Sequence, residues 1–230
     1  AIKQIVENTL NHILPNAAAI ADGVAEADHI HQARVGIRRL RSALKHFSNW
    51  STQVDESWES QLAEIFRAVG DSRDNDAIQD SVIPLIQKVC DFVFKLPTSD
   101  ETNIAQIFSR TQTTELFLSL LNFSYSESES KSKVTKQAAK SLTKLYQKIL
   151  KDAEHFSSLA IEEQHRTRKR VKQLRYCTDF ISDLYPEKEV QQFLNKLQPI
   201  QEYLGFYNDL FVAEQIFEQQ SEKQPQFLFA

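Results

Sequence analysis

Glycine and proline are scarce in this chain, with four and six residues respectively among 230. Antiparallel sandwiches and barrels need many Gly and Pro turns, so this composition argues against an all-β fold. Collagen-like chains and Gly/Pro-rich disordered chains are excluded for the same reason. No stretch approaches the 18 or so apolar residues of a membrane span, so we expect no membrane contact. The length suits one large domain or two small ones.

Cysteine is also scarce. Cys90 and Cys177 fit neither a C-x-x-C motif nor a metal-ligand spacing, so we expect no disulfide scaffold and no metal site. Reduced thiols in a cytoplasmic protein are the simplest interpretation. Residues 1–16 lack the apolar segment and the cleavage site of a signal peptide, which favours the same location.

Apolar residues recur at helical spacing along nearly the whole chain, and no segment has a convincing strand pattern. The serine-rich segment 124–133 is polar and without periodicity, which predicts a linker. The sequence therefore predicts an all-α fold. The predicted helices cover residues 1–21, 29–48, 56–69, 73–95, 101–122 in two pieces, 134–156, 162–184, 189–204 and 206–220.

A motif of the form H-x-x-R-x-x-[IV]-[RK]-x-L-R occurs twice, starting at His31 and at His165, 134 positions apart. A glycine and an acidic turn follow the histidine after 39 residues in the first copy (Gly70 to Asp74) and after 40 in the second (Gly205 to Asp209). We interpret this ordered match as a tandem duplication. It predicts one domain over 1–230, made of two pseudo-symmetric helical bundles of about four helices each. The first repeat is 1–123, the linker 124–133 and the second repeat 134–230.

Positive charge is concentrated in the two motif helices, although the whole chain has a net charge of −4. Residues 31–46 contain five Lys and Arg residues and no acid, and residues 164–176 contain six and no acid. At 100° per residue, most of these cations and the motif histidine fall in an arc of about 80° beside the apolar face. Since like charges at this spacing destabilise a helix, a bound polyanion is the natural compensation.

The length of the stripe indicates which anion it suits. From His31 to Lys45 a helix extends roughly 21 Å, far more than one phosphate needs. A repeated stripe of this length favours an extended chain of phosphates, held by bidentate Arg contacts and by the point charge of Lys.

Acids elsewhere in the fold could neutralise the stripes instead, with Asp71, Asp74, Asp76 and Asp209 as the obvious partners. For a further row at Lys136, Lys140, Lys144, Lys148 and Lys151, we favour a plain solvent face.

The segments HQARVGIRRLRSAL, GDSRDND, HRTRKRVKQLRY and LGFYND resemble, in this order, the CHAD family, the conserved histidine α-helical domain. The resemblance covers roughly residues 20–212. It implies a basic surface between two helical bundles, binding of inorganic polyphosphate, and association with polyphosphate granules in bacteria. Some members follow a CYTH-type triphosphatase domain, so a triphosphatase of that type is an implied partner.

The stripes and the resemblance together give the candidate site. The family's histidines fall on His31 and His165, and its basic positions fall on the motif helices. We predict no catalytic residue, no metal ligand and no cofactor. The predicted polyphosphate-binding residues are His31, Arg34, Arg38, Arg39, Arg41, Lys45, His165, Arg168, Lys169, Lys172 and Arg175.

Two other functions use the same residues. A polyphosphate- or triphosphate-processing phosphohydrolase, or an accessory to one, would need a metal site or a nucleophile. Asp71, Asp74 and Asp76 are the best carboxylate cluster for it, but their spacing after Gly70 better fits the first turn of a helix. Nucleic-acid binding ranks third, because the cationic arcs contain no interleaved aromatic residues apart from Tyr176 at the border of the second.

Overall fold

The fold is all-α, as predicted. The computed structural model describes residues 1–69, 82–88, 101–127 and 134–223, and no strand occurs in these ranges. The helices are α1 (Ile2–Ala21), α2 (Ala27–Phe47), α3 (Ser57–Ala68), α4 (Ile83–Ile86), α5 (Glu101–Ser109), α6 (Thr111–Tyr125), α7 (Val134–Ala153), α8 (Ile161–Phe180) and α9 (Glu187–Lys223). Short 3-10 turns follow α2, α7 and α8, at Ser48–Trp50, Phe156–Ser158 and Ser182–Leu184.

The helix pair α1 and α2 forms the centre of the first half. Helix α2 is amphipathic and buries Ile37, Leu40 and Phe47 completely. Gly36 faces α1, where a Cβ would clash with the side chain of Ile13. The absence of a side chain at this position therefore lets the two helices pack closely. Helices α5 and α6 complete this core against α1.

The second half is built from α7, α8 and α9 around a smaller core. Helix α8 contributes Val171 and Leu174 to it, and α9 contributes Leu197 and Leu204. Helix α8 is otherwise rich in charge, so these few buried side chains fix which of its faces turns inward. Its remaining polar faces carry the second basic stripe.

The two halves share packing contacts. Cys177 and Ile181 at the end of α8, together with Ala138 of α7, belong to the same apolar core as α1 and α2. Val82 and Ile83 at the start of α4 pack in turn against Ala213 of α9. Since the halves share a core, α2 and α8 are held in a fixed relation. The contacts are consistent with a duplication, and the division into residues 1–123 and 134–230 stays a prediction.

One prediction about the helices is wrong. The sequence predicts separate helices over 189–204 and 206–220, whereas α9 runs without a break from Glu187 to Lys223. Gly205 lies inside it, and no other described element comes within 4 Å of where its Cβ would be. A lone glycine costs a helix only about 1 kcal/mol, and apolar contacts on both sides offset that cost. The predicted helix 73–95 and the linker 124–133 lie largely outside the described residues.

In the part of the chain that the structure describes, no helix combines the length and the apolar character that a membrane crossing requires.

Candidate functional site

The two motif helices, α2 and α8, lie side by side and antiparallel. Arg39 of α2 forms an ion pair of 3.5 Å with Asp179, near the end of α8. At the other end of the contact, His46 Nε2 lies 3.4 Å from Oε1 of Gln173. Residue numbers therefore rise along one helix as they fall along the other. The two basic stripes border one surface between the halves of the molecule.

Cations from both halves meet on this surface. The pKa of the Lys169 side chain on α8 is lowered by partial burial and by the positive charges of Arg168, Arg41 and Lys45. Arg41 and Lys45 belong to α2, so charges of the first stripe act on a lysine of the second motif helix. Such a cluster of like charges is unfavourable in the absence of an anion.

Arg38 is held at the interface by an aromatic ring of the other helix. Its guanidinium lies 5.7 Å from the centroid of the Tyr176 ring, within the range of a cation–π contact. The Nε atom of Arg38 is buried, and it has no hydrogen-bond partner among the described residues. Buried donors are normally paired, so this unpaired Nε–H is an unfavourable feature of the interface.

The second copy of the motif contacts its own acidic segment, which lies within α9 and does not form the predicted turn. His165 Nδ1 lies 2.6 Å from Oδ1 of Asn208, so Nδ1 carries the proton and donates it to the amide oxygen. Arg168 forms an ion pair of 3.7 Å with Asp209. The guanidinium of Arg175 donates to Oε1 of Gln201 over 3.5 Å. Gln201, like Asn208 and Asp209, belongs to α9. Helix α9 thus orients three of the predicted binding residues of α8.

The first copy shows a related arrangement with α3. Arg34 is buried, and its NH1 donates to the carbonyl oxygens of Val69 and Phe66 at the end of α3. A cation at the carboxyl end of a helix is favoured by the free carbonyls and the helix dipole. Arg34 is therefore turned towards α3 and not towards the open surface. Arg41 lies beside it, with its guanidinium 5.5 Å from the ring of Phe66.

Internal acids neutralise part of the stripes, as the alternative interpretation predicts. Asp209 is a partner of Arg168, as expected from the sequence. Arg41 binds Glu59 through two hydrogen bonds of 2.8 and 3.0 Å, and Arg39 pairs with Asp179. The other three predicted acids, Asp71, Asp74 and Asp76, lie outside the described residues.

The remaining predicted residues differ in exposure. Lys45 and Lys169 are exposed, whereas His31 and Lys172 are half-buried. Arg39 lies at the α2–α8 contact, with its guanidinium 5.4 Å from the centroid of the Tyr176 ring. It also borders a cavity of about 520 Å³ together with His12 and Asp183. The structure thus gathers Arg38, Arg39, Arg41, Lys45 and Lys169 near the helix interface, and it turns Arg34 towards α3.

Sequence reasoning missed His46 as a member of the site. The pKa of its side chain is lowered by burial, and the charges of Lys45 and Lys148 add to this effect, while the hydrogen bond with Gln173 opposes it. His46 is adjacent to Lys45 in the sequence, but it lies outside the repeated motif. Only the packing of α7 and α8 against the end of α2 reveals its position.

The described residues contain no group of three or more His, Cys, Asp or Glu side chains arranged to hold a metal ion. Cys177 is a free thiol inside the shared core, and burial raises its pKa to about 12. Such a thiol is protonated and shielded, so a nucleophilic role is not expected for it. Cys90 lies outside the described residues.

These features define an all-α protein with a basic surface between two repeated helices. Residues 4–218 match the CHAD domain, so the chain belongs to the CHAD domain family. Its structure is similar to the crystal structure of the CHAD domain from the plant Ricinus communis, with a TM-score of 0.77 and 27% sequence identity. The similarity covers 98% of this chain and 79% of the plant chain. No curated protein matches the sequence.

Proposed function

We propose that this protein binds inorganic polyphosphate without processing it, and that the binding surface is the interface between α2 and α8. The observation that carries the proposal is the contact of Arg38 on α2 with the Tyr176 ring on α8 over 5.7 Å, which joins the two cationic motif helices. The charges of Arg41 and Lys45 also act on Lys169 across this contact. Membership of the CHAD domain family supports the same function.

The chemistry of the surface suits a chain of phosphates. Arg38 offers a guanidinium fixed against Tyr176, and a fixed guanidinium favours directional hydrogen bonds to phosphate oxygens. The exposed ammonium groups of Lys45 and Lys169 offer charge without fixed geometry. An anion lying between the helices would contact both kinds of group, and it would relieve the repulsion between the stripes.

The residues held by internal ion pairs have a different part in this proposal. Arg41 and Arg168 keep Glu59 and Asp209 as partners and supply positive potential to the surface. Arg34 holds α3 against α2, so we assign it a positioning role. His31, His165, Lys172 and Arg175 remain predicted contacts. Arg39 remains one as well, although its charge is shared with Asp179.

The test is a titration with long-chain polyphosphate at several salt concentrations. Lys45→Glu and Lys169→Glu should each weaken binding about tenfold or more, because each turns an attraction into a repulsion. Lys196→Glu on α9 makes the same charge change at another exposed position and should have little effect. Native protein that fails to bind at low salt would contradict the proposal.

Two further assays separate the alternatives. Polyphosphate should displace RNA and DNA readily, whereas excess nucleic acid should not displace polyphosphate. Incubation with polyphosphate and Mg²⁺ should release no phosphate; turnover would instead favour a phosphohydrolase.

The proposed ligand also suggests a location and a partner. We propose that the protein associates with polyphosphate granules, and that a CYTH-type triphosphatase acts with it on the same polymer. A fluorescent fusion should collect at granules, and the Lys45→Glu/Lys169→Glu variant should spread through the cytoplasm.

A further inference from the structure

Helix α7 carries a row of five exposed lysines. Lys136, Lys140, Lys144 and Lys148 follow each other at intervals of four residues, and Lys151 lies on the same side. The opposite side of the helix is apolar and packed, with Ala138, Leu145 and Ile149 buried. The row therefore lies along the outer face of α7, as the sequence alone indicates.

Acidic side chains of the described residues leave the row unneutralised. The single acid of α7, Asp152, is occupied by α8, where it accepts from Thr167 over 2.9 Å and binds Arg170. None of the five lysines forms an ion pair with another described residue. Like charges one turn apart destabilise a helix, so this arrangement gains from an external anion.

The middle of the row lies against the end of α2 at the α2–α8 surface. Ser141 of α7 lies with its hydroxyl 3.4 Å from the carbonyl oxygen of His46, at the end of α2. Lys148 projects in nearly the same direction as Ser141, about 20° away and about 10 Å further along the helix. The charges of Lys148 and Lys45 both act on the His46 side chain. Positive charge thus continues from Lys169 and Lys45 to Lys148 across three helices.

We propose that the lysine row of α7 is a second segment of the polyanion-binding surface, which only long polyphosphate chains occupy. This inference rests on the proposed function, since it adds a segment to that site. A long chain leaves the α2–α8 surface at Lys45 and continues along the row, which extends about 22 Å from Lys136 to Lys151. Tripolyphosphate, with three phosphates, occupies only the first segment.

The experiment compares two ligands on matched variants. Lys144→Glu/Lys148→Glu changes the row, and Lys188→Glu/Lys196→Glu makes the same charge change at exposed positions of α9. We expect the row variant to bind long-chain polyphosphate about tenfold or more weakly, and tripolyphosphate within about threefold of the native protein. The control should bind both ligands nearly as the native protein does, and circular dichroism should show that every variant is folded.

Three outcomes would overturn the inference. In the first, the row variant retains full affinity for the long chain while Lys45→Glu loses it; the proposed function then stands without the second segment. In the second, the row variant loses affinity for long-chain polyphosphate and tripolyphosphate equally, or the control variant loses as much affinity as the row variant. The loss then comes from the change in net charge and not from the position of the row. In the third, the native protein binds neither ligand, and the proposed function fails as well.

Discussion

The guanidinium of Arg38 lies 5.7 Å from the ring centroid of Tyr176, and this contact joins the two repeated helices. A planar cation on an aromatic face keeps its orientation, whereas a lysine at the same place would keep only its charge. Substitutions of Arg38 can therefore distinguish the contribution of guanidinium geometry to anion binding from the contribution of positive charge.

We expect Arg38→Lys to weaken polyphosphate binding several-fold while the salt dependence stays the same. Arg38→Gln should weaken it further and reduce the slope of log affinity against log salt by about one, because one cation is lost. Titrations at four or five salt concentrations measure both quantities. Equal affinities for the lysine variant and the native protein would show that the geometry at Tyr176 has no part in binding.

Two glycines give opposite predictions for the same substitution. An alanine in place of glycine gains about 1 kcal/mol within a helix. At Gly36, however, the new Cβ clashes with Ile13, and overpacking costs about 1–3 kcal/mol. Gly36→Ala should lower the free energy of unfolding, whereas Gly205→Ala, with open space around it, should raise it. Denaturant unfolding of the two variants checks this, and a stabilised Gly36→Ala would contradict the close packing of α1 and α2.

Lys3 ties the first helix to the end of α6. Its buried ammonium donates to Ser126 and Glu127 carbonyl oxygens at 3.1 and 2.6 Å, and to the Gln53 side chain at 2.6 Å. Lys3→Met leaves these acceptors without a donor, which should cost about 1–3 kcal/mol of stability. Thermal unfolding measures the loss. The same substitution at the exposed Lys196 serves as the control, and equal stabilities of the two variants would contradict this role of Lys3.

His46 should make stability fall in mild acid. Its folded-state pKa is below the ordinary value of 6.5, mainly because the ring is buried, with Lys45 of its own helix and Lys148 of α7 adding to the shift. The unfolded chain therefore binds a proton at His46 at a higher pH than the folded chain does. Stability from this residue is present above about pH 6.5 and is lost as the pH falls towards the lower folded value.

Unfolding midpoints of the native protein and His46→Gln between pH 8 and pH 5 test this expectation. The native protein should lose more stability below pH 6.5 than the variant does. His155→Gln, at an exposed histidine, should follow the native curve. Parallel curves for the native protein and His46→Gln would assign the acid sensitivity to other groups.

Much of the fold follows from local pattern. The apolar spacing predicts α1, α2, α3, α7 and α8 to within a few residues, because each buries one stripe. The sequence pattern wrongly predicts a helix end at Gly205, by analogy with Gly70. Apolar packing on both sides of Gly205 keeps α9 continuous. The cost of one glycine is too small to overrule tertiary contacts.

The sequence predicts the helices better than it predicts which residues meet at the basic surface. The motif reveals which residues are cationic, but their partners are distant in the sequence: Asp179 is 140 positions from Arg39, and Gln173 is 127 from His46. A helical wheel cannot show that Arg34 turns towards the end of α3, or that the charge of Lys148 acts on His46. Such facts depend on which helices become neighbours.

The antiparallel course of α2 and α8 has a consequence for the orientation of a bound polymer. The amino end of one motif helix lies near the carboxyl end of the other, so their dipoles oppose each other and give the α2–α8 segment no polarity of its own. A chain can then lie along this segment in either direction without a cost from the helix dipoles. Inorganic polyphosphate has two chemically identical ends and loses nothing by this reversal, whereas a nucleic-acid strand has a 5′ and a 3′ end.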